Sequence, residues 1–536
     1  MSILQFGNLQ ITAAFEGLST IKGGYIITGK NVSLTTPPSR QSYYSHGWQS
    51  WSLAAWTSLK ALPTPKPRLL NPMQVDPVYA QHPCPNGSWV GAVDFADGNI
   101  LLLGAIDLDS HVQLREGKLQ GWYDVENSAA KMRQWFVGYG IEAEIFKTYA
   151  QLLGQKFGTG RMQSTQRVWC SWYSLYTAID EHVLQTIFDR LNDLAFDVLQ
   201  IDDGWQISIG DWQANAKFPS GMEELATKIK LTGRKAGLWL APLLVVPSST
   251  LYRTHPEWLL RDLQGKPVPA GFNWGEQLYA LDTTHPEVLQ WLTALMKTVR
   301  AWGFDYIKLD FLYAGALPGK RHIDMPREAA YRHGLSTIRE ALGPDAYFLS
   351  CGAPIIPSLG LCDAMRIGPD VAAEWENYRD AVLLYNPTTP AAKNAIRTSI
   401  NRMWLAPLVH PDPDVVYFRH KHNRMTPEEN TMLQNLAQVC GFKATSDLPQ
   451  WLEDSEREML RSFLTNQPEV KKTGRYSYRI DNLQVDFSPA MALPLPPTGI
   501  NLFIRAITGW LGSQPFVLGL LDRLGKKALE KIRSAL

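Results

Sequence analysis

The chain has 536 residues, a length that favours several compact units and leaves room for a full barrel among them. Its 52 Lys and Arg residues nearly balance 51 Asp and Glu residues, which excludes a strongly basic surface for nucleic acid or anionic membranes. We therefore expect an uncharged partner. The 19 Trp and 20 Tyr residues are a heavy aromatic load, which sugar sites use and large cores use as well.

The cysteines and the first residues of the chain bear on its compartment. The cysteines are odd in number and form no CxxC pair, so we expect no disulfide framework and no zinc site. The opening segment MSILQFGNLQITAAFEG lacks a basic stretch, a sustained apolar core and a small-residue cleavage site, so we predict no secretion signal. These features favour a cytoplasmic protein with reduced thiols, and no motif indicates a metal or cofactor.

Residues 1–157 consist of short alternating apolar and polar runs that turn residues separate. Examples are GGYIITGKNVSL and SWVGAVDFADGNILLLGAID, the second of which has an Asp-Gly and a Gly-Asn pair between its runs. This pattern predicts an antiparallel β-sandwich, with the proline-rich stretch 62–77 as a long surface loop.

In residues 158–452, short β-rich runs alternate with longer segments of helical apolar spacing. The predicted strands are VWCSWY, FDVLQIDD, KAGLWLAP, FDYIKLDF, AYFLSCG and DAMRIG. Alternation over this length predicts a parallel (β/α)8 TIM barrel, in which functional groups lie at the carboxyl ends of the strands. The chain is therefore predicted to be multidomain.

Residues 453–536 are less regular and are predicted to be a short C-terminal region with a β-hairpin around KTGRYSYRIDNLQVDFS and a helical tail. The tail is apolar, but Arg505, Gly509 and Pro515 interrupt it, so we do not expect it to span a bilayer. A packing helix or an amphipathic surface helix is the preferred interpretation, and membrane contact through this tail is the alternative.

Two aspartates lie where paired carboxyl groups could perform glycoside hydrolysis, one as nucleophile and one as general acid. Asp310 ends the predicted strand YIKLD, and Lys308 on the same face would hold its carboxylate ionised. Asp370 follows a strand and a Gly-Pro turn, from which its side chain can lean over the barrel mouth. Each has a structural alternative, a buried ion pair for Lys308 and Asp310 and a helix N-cap for Asp370.

Three further residues suit a sugar site but have ordinary explanations as well. Asp202 and Asp203 in QIDDGW end a predicted strand, where adjacent carboxylates can accept hydrogen bonds from neighbouring hydroxyls, although such pairs are more often solvated or metal-binding. Trp239 in GLWLAP could stack on a sugar or pack inside the barrel.

His420 and His422 in FRHKHN could suggest a metal site. They are interpreted as a basic surface patch, because no third spaced ligand accompanies them.

Taken in order, IDDGW, GLWLAP, YIKLDF, SCG and RIGPD resemble glycoside hydrolase family 36, the α-galactosidases, over roughly residues 168–414. The likeness is to compact bacterial and thermophile-type members, and WCSWY opens it. The resemblance implies a retaining α-galactosidase that hydrolyses terminal non-reducing α-D-galactosyl residues of galacto-oligosaccharides by double displacement. It makes Asp310 the nucleophile and Asp370 the general acid/base, without a metal.

The same resemblance implies the substrate contacts. Asp202 and Asp203 would bind the 4- and 6-hydroxyls of galactose, and Trp239 would wall the pocket. The other implied contacts are Lys308 at the 3- or 4-hydroxyl, Cys351 and Gly352 on the 2-hydroxyl side, Arg366 beside the sugar or an acid, and Trp48 or Trp51 from the first domain. This chain reads WLAPLL where many members read WFEPEM, which removes a carboxylate near the pocket.

Other functions stay open on the sequence alone. A raffinose-synthase-like α-galactosyltransferase would share the pocket, and an α-N-acetylgalactosaminidase would need room for an acetamide beside Cys351 and Gly352. From a different class comes a non-catalytic carbohydrate sensor, whereas the lack of GxGxxG and GxxxxGK[ST] disfavours a nucleotide enzyme. The aglycone and the substrate chain length are open, and the family suggests a homo-oligomer.

Overall fold

The structure, a computed structural model, describes residues 2–59, 71–80, 82–124, 133–160, 163–377 and 387–493, together with 503, 507 and 520. The amino-terminal strands run antiparallel in two sheets. Their bounds are β1 Ser2–Phe6, β2 Leu9–Ala14, β3 Gly17–Ile21, β4 Gly24–Thr28, β5 Asn31–Thr35, β6 Arg40–Ser45, β7 Ala55–Ser58, β8 Asn86–Ser88, β9 Val90–Phe95, β10 Asn99–Ala105, β11 Ser110–Arg115, β12 Lys118–Tyr123 and β13 Gln134–Ile141. One sheet has the order β1-β2-β5-β12-β11-β8 and the other β3-β4-β13-β10-β9-β6-β7.

The two sheets pack against each other, as the alternating sequence pattern predicts. In β5 only the second and fourth residues, Val32 and Leu34, are buried, so one face of this strand points inward. The indole of Trp135 in β13 lies where a Cβ on Gly121 in β12 would be, and only glycine permits this close approach between the sheets. The strand β10 is buried from Ile100 to Ala105, so both of its faces are covered.

The second part of the chain is a curled, TIM-like sheet of eight parallel strands. Its order is β25-β24-β23-β22-β18-β15-β14-β26, and Val416, just after β25, makes a parallel bridge with Thr445 in β26. The bounds are β14 Arg167–Cys170, β15 Val198–Ile201, β18 Lys235–Leu240, β22 Phe304–Leu309, β23 Tyr347–Ser350, β24 Ala364–Arg366, β25 His410–Asp412 and β26 Lys443–Thr445. The six strands predicted from the sequence correspond to β14, β15, β18, β22, β23 and β24.

Smaller strands and most of the helices lie between the barrel strands along the chain. The smaller strands are β16 Gln206–Ser208, β17 Asp211–Ala214, β19 Leu244–Val245, β20 Pro269–Asn273 and β21 Glu276–Ala280. The helices are α1 Asn71–Gln74, α2 Glu142–Phe157, α3 Trp172–Leu175, α4 Glu181–Asp189, α5 Gly221–Leu231, α6 Thr250–Thr254, α7 Pro286–Ala301, α8 Arg327–Leu342, α9 Ile355–Ser358, α10 Ala392–Arg402, α11 Pro427–Cys440 and α12 Asp454–Thr465. In α7, proline occupies the first turn and Val288, Leu292, Met296 and Val299 form one buried stripe, which is the pattern of a helix packed on a sheet.

The prediction of a surface loop at 62–77 is wrong for the part that the structure describes. Residues 71–74 form the short helix α1, and Asp76 beyond it is 6% exposed. The carboxylate of Asp76 accepts two hydrogen bonds from the guanidinium of Arg327, the first residue of α8. This ion pair draws the segment onto the barrel, and proline content alone could not reveal it.

The C-terminal stretch that was predicted to be a hairpin contains three antiparallel strands. They are β27 Val470–Lys472, β28 Ser477–Ile480 and β29 Leu483–Asp486. The predicted helical tail falls outside the described residues except at 503, 507 and 520. Within the ranges given above, no helix has the length and hydrophobicity to cross a membrane.

A buried carboxylate joins the sandwich to the barrel. Glu328 in α8 is 1% exposed and accepts hydrogen bonds from three N–H groups of the amino-terminal part. These donors are Trp48 Nε1 at 3.2 Å, Trp89 Nε1 at 3.0 Å and the backbone N–H of Asp109 at 2.6 Å. Removing this acceptor would leave three buried donors without a partner, so Glu328 contributes to the stability of the interface.

Glu328→Ala is expected to lower the free energy of unfolding by about 3–5 kcal/mol, because it leaves those N–H groups unsatisfied. Glu328→Gln keeps one carbonyl acceptor and should lose less. Equilibrium urea unfolding, followed by tryptophan fluorescence, measures both. The control is Glu340→Ala at an exposed position of the same helix, expected to stay within about 0.5 kcal/mol of the wild type. Equal losses for the two alanine variants would contradict the prediction.

Candidate active site

The carboxyl ends of the barrel strands border a cavity of about 220 Å³, which suits one small ring rather than a long chain. Its walls combine carboxylates, a lysine and several aromatic rings. The lining residues are Trp51, Met73, Gln74, Trp172, Tyr173, Asp202, Asp203, Trp239, Asn273, Trp274, Lys308, Asp310, Phe311, Pro369, Asp370, Thr388 and Pro390. The structure thus gathers most of the predicted site residues around one space.

Asp310 directly follows β22, and both of its carboxylate oxygens accept hydrogen bonds. The backbone N–H of Phe311 donates to Oδ1 at 2.8 Å and Trp239 Nε1 donates to Oδ2 at 3.0 Å. Phe311 has a φ of 54°, a left-handed conformation that is strained for a non-glycine residue and is typical of functional sites. Burial raises the pKa of Asp310, and the charge of Lys308 opposes that rise. The carboxylate is therefore held rigidly, with lone pairs left for a ligand.

Lys308 pairs with a different carboxylate from the one that the sequence analysis expected. Its Nζ lies 2.9 Å from Asp202 Oδ2, and both side chains are almost fully buried. Gln200 Nε2, in the strand β15 that Asp202 directly follows, also donates to Asp202 Oδ2 at 2.7 Å. Lys308 acts on Asp310 through its charge, while its direct ion pair fixes Asp202.

Asp203 accepts two short hydrogen bonds from neighbouring side chains. Trp274 Nε1 donates to Oδ2 at 2.7 Å and Gln206 Nε2 donates to Oδ1 at 2.6 Å. Burial raises the pKa of Asp203 to about 6, and the hydrogen bond from Trp274 opposes that rise. Asp202 and Asp203 therefore present two fixed carboxylates to the cavity from one strand end.

Trp274 is a site residue that the sequence analysis missed. It lies at the tip of the hairpin β20–β21, where Trp274 and Gly275 have φ values of 53° and 78°. Positive φ at both central residues defines a type I′ turn, in which tryptophan is an unusual occupant. In the sequence, the pair Trp-Gly between two alternating runs could have indicated a hairpin turn. It could not have indicated that the indole contacts Asp203.

Asp370 lies after β24 at the cavity wall, with 33% of its side chain exposed. Arg366 Nη1 donates to Asp370 Oδ1 at 2.9 Å, so Arg366 contacts the predicted acid rather than lining the cavity itself. The negative charge of Asp370 raises the pKa of Asp310, after the larger effect of burial. The two carboxyl groups therefore interact across the same cavity.

Trp51 reaches the cavity from the sandwich on a loop that the barrel holds in place. The guanidinium of Arg402, the last residue of α10, donates to the backbone carbonyls of the four loop residues Gly47, Gln49, Ser50 and Ser52. Trp51 packs edge-on against Phe311, with ring centroids 5.1 Å apart. One buried arginine thus positions the side of the cavity that the amino-terminal part supplies.

The remaining predicted residues lie behind the cavity wall. Trp48 is buried against Glu328, so of the two candidate tryptophans it is Trp51 that lines the cavity. Cys351 lies close enough to Asp310 to oppose the rise in the pKa of that carboxyl group, which burial causes. Gly352 has a φ of 53°, and a Cβ there would lie 3.0 Å from the backbone nitrogen of Phe311. Both residues therefore support Asp310 and Phe311 from behind.

The arrangement provides two sets of carboxyl groups with different surroundings. Asp310 and Asp370 come from different strands and can act on opposite sides of a bound ring. Asp202 and Asp203 are fixed acceptors for hydroxyl groups. Across the ranges that the structure describes, no group of three His, Cys, Asp or Glu side chains could hold a metal ion, and His420 pairs with Glu456 at 2.8 Å.

Comparisons with known proteins agree with this chemistry. A family model described as Melibiase matches residues 132–344. The chain is similar to the α-galactosidase TtGalA of Thermus thermophilus, solved with p-nitrophenyl α-D-galactopyranoside, at 45% identity and a TM-score of 0.85. That match covers 91% of this chain and 99% of TtGalA. A second TtGalA structure contains stachyose and is 46% identical, with a TM-score of 0.81, covering 87% of this chain and 99% of the other.

Curated relatives are longer than the segment they share with this chain. Alpha-galactosidase AgaA of Geobacillus stearothermophilus is 30% identical over 210 residues, which are 36% of this chain and 28% of that protein. Alpha-galactosidase 2 of Pediococcus pentosaceus is 24% identical over 316 residues, which are 56% of this chain and 41% of that protein. The chain thus matches less than half the length of either relative.

Lys308→Met is expected to lower the free energy of unfolding by about 3–5 kcal/mol, because Asp202 then stays buried without its cation. The double variant Lys308→Met/Asp202→Asn should recover part of that loss. The control is Lys230→Met, since Lys230 pairs with Asp305 at the same 2.9 Å but both side chains are about one-third exposed or more. It should cost less than about 1 kcal/mol in the same urea titration. A loss in the double variant equal to the sum of the losses in Lys308→Met and Asp202→Asn would contradict a direct coupling of the two side chains.

Proposed function

The chain belongs to the melibiase family, glycoside hydrolase family 36, and on that premise we propose that it is a retaining α-galactosidase. Its substrates are oligosaccharides that carry a terminal non-reducing α-D-galactosyl residue. The observation that carries the proposal is that Asp310, Asp370, Asp202 and Asp203 all line the same cavity. A pair of carboxyl groups performs the chemistry, and the adjacent acceptors select the sugar.

Asp310 is the nucleophile of this proposal. Hydrogen bonds from Phe311 and Trp239 favour its ionised form and fix its direction. Attack on carbon 1 of the α-galactoside forms a β-galactosyl ester as the bond to the aglycone breaks. Water then cleaves this ester, and galactose leaves in the α-configuration.

Asp370 is the general acid and then the general base. Its partly exposed position at the cavity wall suits contact with a departing aglycone and afterwards with water. It gives its proton to the glycosidic oxygen in the first step and takes a proton from water in the second.

The pair Asp202 and Asp203 supports selection of galactose over glucose. Galactose differs from glucose in its axial 4-hydroxyl, and an epimer that leaves a buried carboxylate without its donor is bound less tightly. The indoles of Trp239 and Trp274 provide apolar walls for the sugar. On the side of the site assigned to the 2-hydroxyl, Cys351 and Gly352 support the segment that begins at Phe311 from behind the cavity wall.

We also propose the finer architecture that the sequence predicted. The bridge between Val416 and Thr445 supports closure of the sheet into a complete (β/α)8 barrel. The boundaries are 1–157 for the sandwich, 158–452 for the barrel and 453–536 for the C-terminal region. All five cysteines are free, which supports a reducing cytoplasmic compartment.

Galactose binding is expected to strengthen as pH rises through about 6, because ionised Asp203 accepts hydroxyl hydrogen bonds that its protonated form accepts less well. Trp274→Phe should move the midpoint to higher pH, since it removes an N–H that lowers the pKa of Asp203. Calorimetric titration with galactose between about pH 4.5 and 8 measures both midpoints. Trp51→Phe changes another cavity indole and should leave the midpoint unchanged. Coincident midpoints for wild type and Trp274→Phe would contradict the assignment.

The activity is tested with p-nitrophenyl α-galactoside beside the matching α-glucoside. We expect cleavage of the galactoside alone, with kcat reduced by several orders of magnitude in Asp310→Gly and Asp370→Gly. Azide should yield β-galactosyl azide with Asp310→Gly and α-galactosyl azide with Asp370→Gly, because it replaces the nucleophile in one and attacks the ester in the other. Asp345→Gly at an exposed position is the control.

Three outcomes would replace the proposal. Transfer of galactose to an added sugar acceptor in preference to water would indicate the raffinose-synthase-like transferase. Preference for an α-N-acetylgalactosaminide would indicate the related glycosidase. A folded wild type that binds galactose and cleaves none of these substrates would indicate a sensor.

A further inference from the structure

One guanidinium on the acid/base side of the cavity is shared among three carboxylates. Arg366 lies 2.9 Å from Asp370, 2.7 Å from Asp414 and 3.3 Å from Asp412, each through a different nitrogen. Asp412 and Asp414 are 2% exposed, and Arg366 is equally buried. The cluster therefore has more negative than positive charge in a place that water reaches poorly, and Asp370 competes with two buried carboxylates for one cation.

Asp414 also contacts the backbone beside Asp370. Its Oδ2 accepts hydrogen bonds from the backbone N–H of Val371, at 2.9 Å, and from the hydroxyl of Tyr173. Its Oδ1 accepts from Arg366 Nη2 and, at 2.8 Å, from the backbone N–H of Val415. Since Val371 directly follows Asp370, Asp414 holds the acid both through its main chain and through its arginine partner.

The backbone of Asp414 is itself in an unfavourable conformation. Its φ is 84°, outside the region that aspartate ordinarily occupies, and its N–H donates to Asp412 Oδ1 at 2.8 Å. Such strain persists only where the surroundings over-determine it, and it is concentrated at functional sites. Burial raises the pKa of Asp414, and the charge of Arg366 opposes that rise.

We propose that Asp414 is a positioning residue for the general acid/base, which fixes the main chain after Asp370 and draws part of the charge of Arg366 away from it. This inference rests on the proposed function. Without Asp414, the guanidinium would bind the ionised carboxylate of Asp370 more strongly, and the acid would give up its proton at lower pH. Asp414 thereby weakens the hold of Arg366 on the carboxylate that has to protonate the leaving group.

Other charged and titratable groups face this cluster and must be unchanged in any test. They are Tyr173 and Tyr176 after β14, Lys308 in β22 and Asp310 after it, Cys351 after β23, Glu374 after β24, and Tyr417 and Arg419 after β25. A variant at Asp414 leaves all of them in place. Its effect on pH dependence then reports on the shared arginine.

The test compares leaving groups in Asp414→Asn. A galactoside with a poor leaving group, such as raffinose, needs protonation, whereas 2,4-dinitrophenyl α-galactoside does not. We expect kcat/KM for raffinose to fall by roughly 100-fold or more, the usual contribution of a general acid, and that for the dinitrophenyl substrate to fall by less than about 10-fold. The basic limb of the raffinose profile should move to lower pH.

A purely structural role for Asp414 gives a different result. Both substrates would then lose activity by the same factor and the basic limb would stay in place, which overturns the proposal. Asp412→Asn is the second variant if Asp414→Asn does not fold, because it removes another carboxylate from the same cation. It should move the basic limb in the same direction by a smaller amount, since its contact is longer and it does not reach Val371. No movement would again overturn the proposal.

A failure of the positioning role can be distinguished from a failure of the proposed function. Wild-type hydrolysis of p-nitrophenyl α-galactoside and its loss in Asp310→Gly test the activity without reference to Asp414. If both hold while Asp414→Asn changes neither the leaving-group ratio nor the basic limb, only the positioning role fails. If the wild type cleaves no galactoside, the proposed function fails first.

Discussion

The buried carboxylates of the cavity lose their water when the chain folds, and the protein has to replace that water with N–H donors or an opposite charge. Lys308 does so for Asp202, and Trp239 does so for Asp310. Trp239 and Lys308 are themselves paired in register between β18 and β22. The strand register therefore determines which carboxylate each of these two side chains contacts. Because the contacts are already made in the folded protein, the site needs little rearrangement to bind a polar ligand.

The barrel could be predicted from the sequence wherever a strand was long enough to form an apolar run. The strands β18 and β22 are six residues each and are almost wholly buried, so their order and the residues that follow them were visible. The strands β25 and β26 could not be predicted, because each has only three residues, HPD and KAT, in which no periodicity can appear. Asp412 and Asp414 went unassigned for this reason.

The contacts inside the cavity were less predictable than its location. The rule that alternate residues share a face placed Lys308 beside Asp310. Asp310 lies beyond the strand end, however, where its carboxylate accepts a hydrogen bond from the backbone N–H of Phe311. Trp274 reaches Asp203 from a hairpin 71 positions away in the chain. Side-chain partners this distant depend on loop conformation, which residue patterns do not encode at single-sequence level.

The loop that carries Trp51 also ties the site to the order in which the chain is made. Its carbonyl groups accept hydrogen bonds from Arg402, and the contact with Ser50 joins residues 352 positions apart. At roughly 5–20 residues per second, a ribosome needs about 20–70 s to add that length of chain. Until Arg402 has been added, the carbonyl groups of this loop lack their guanidinium donor, so the side of the cavity that carries Trp51 can form only late in synthesis.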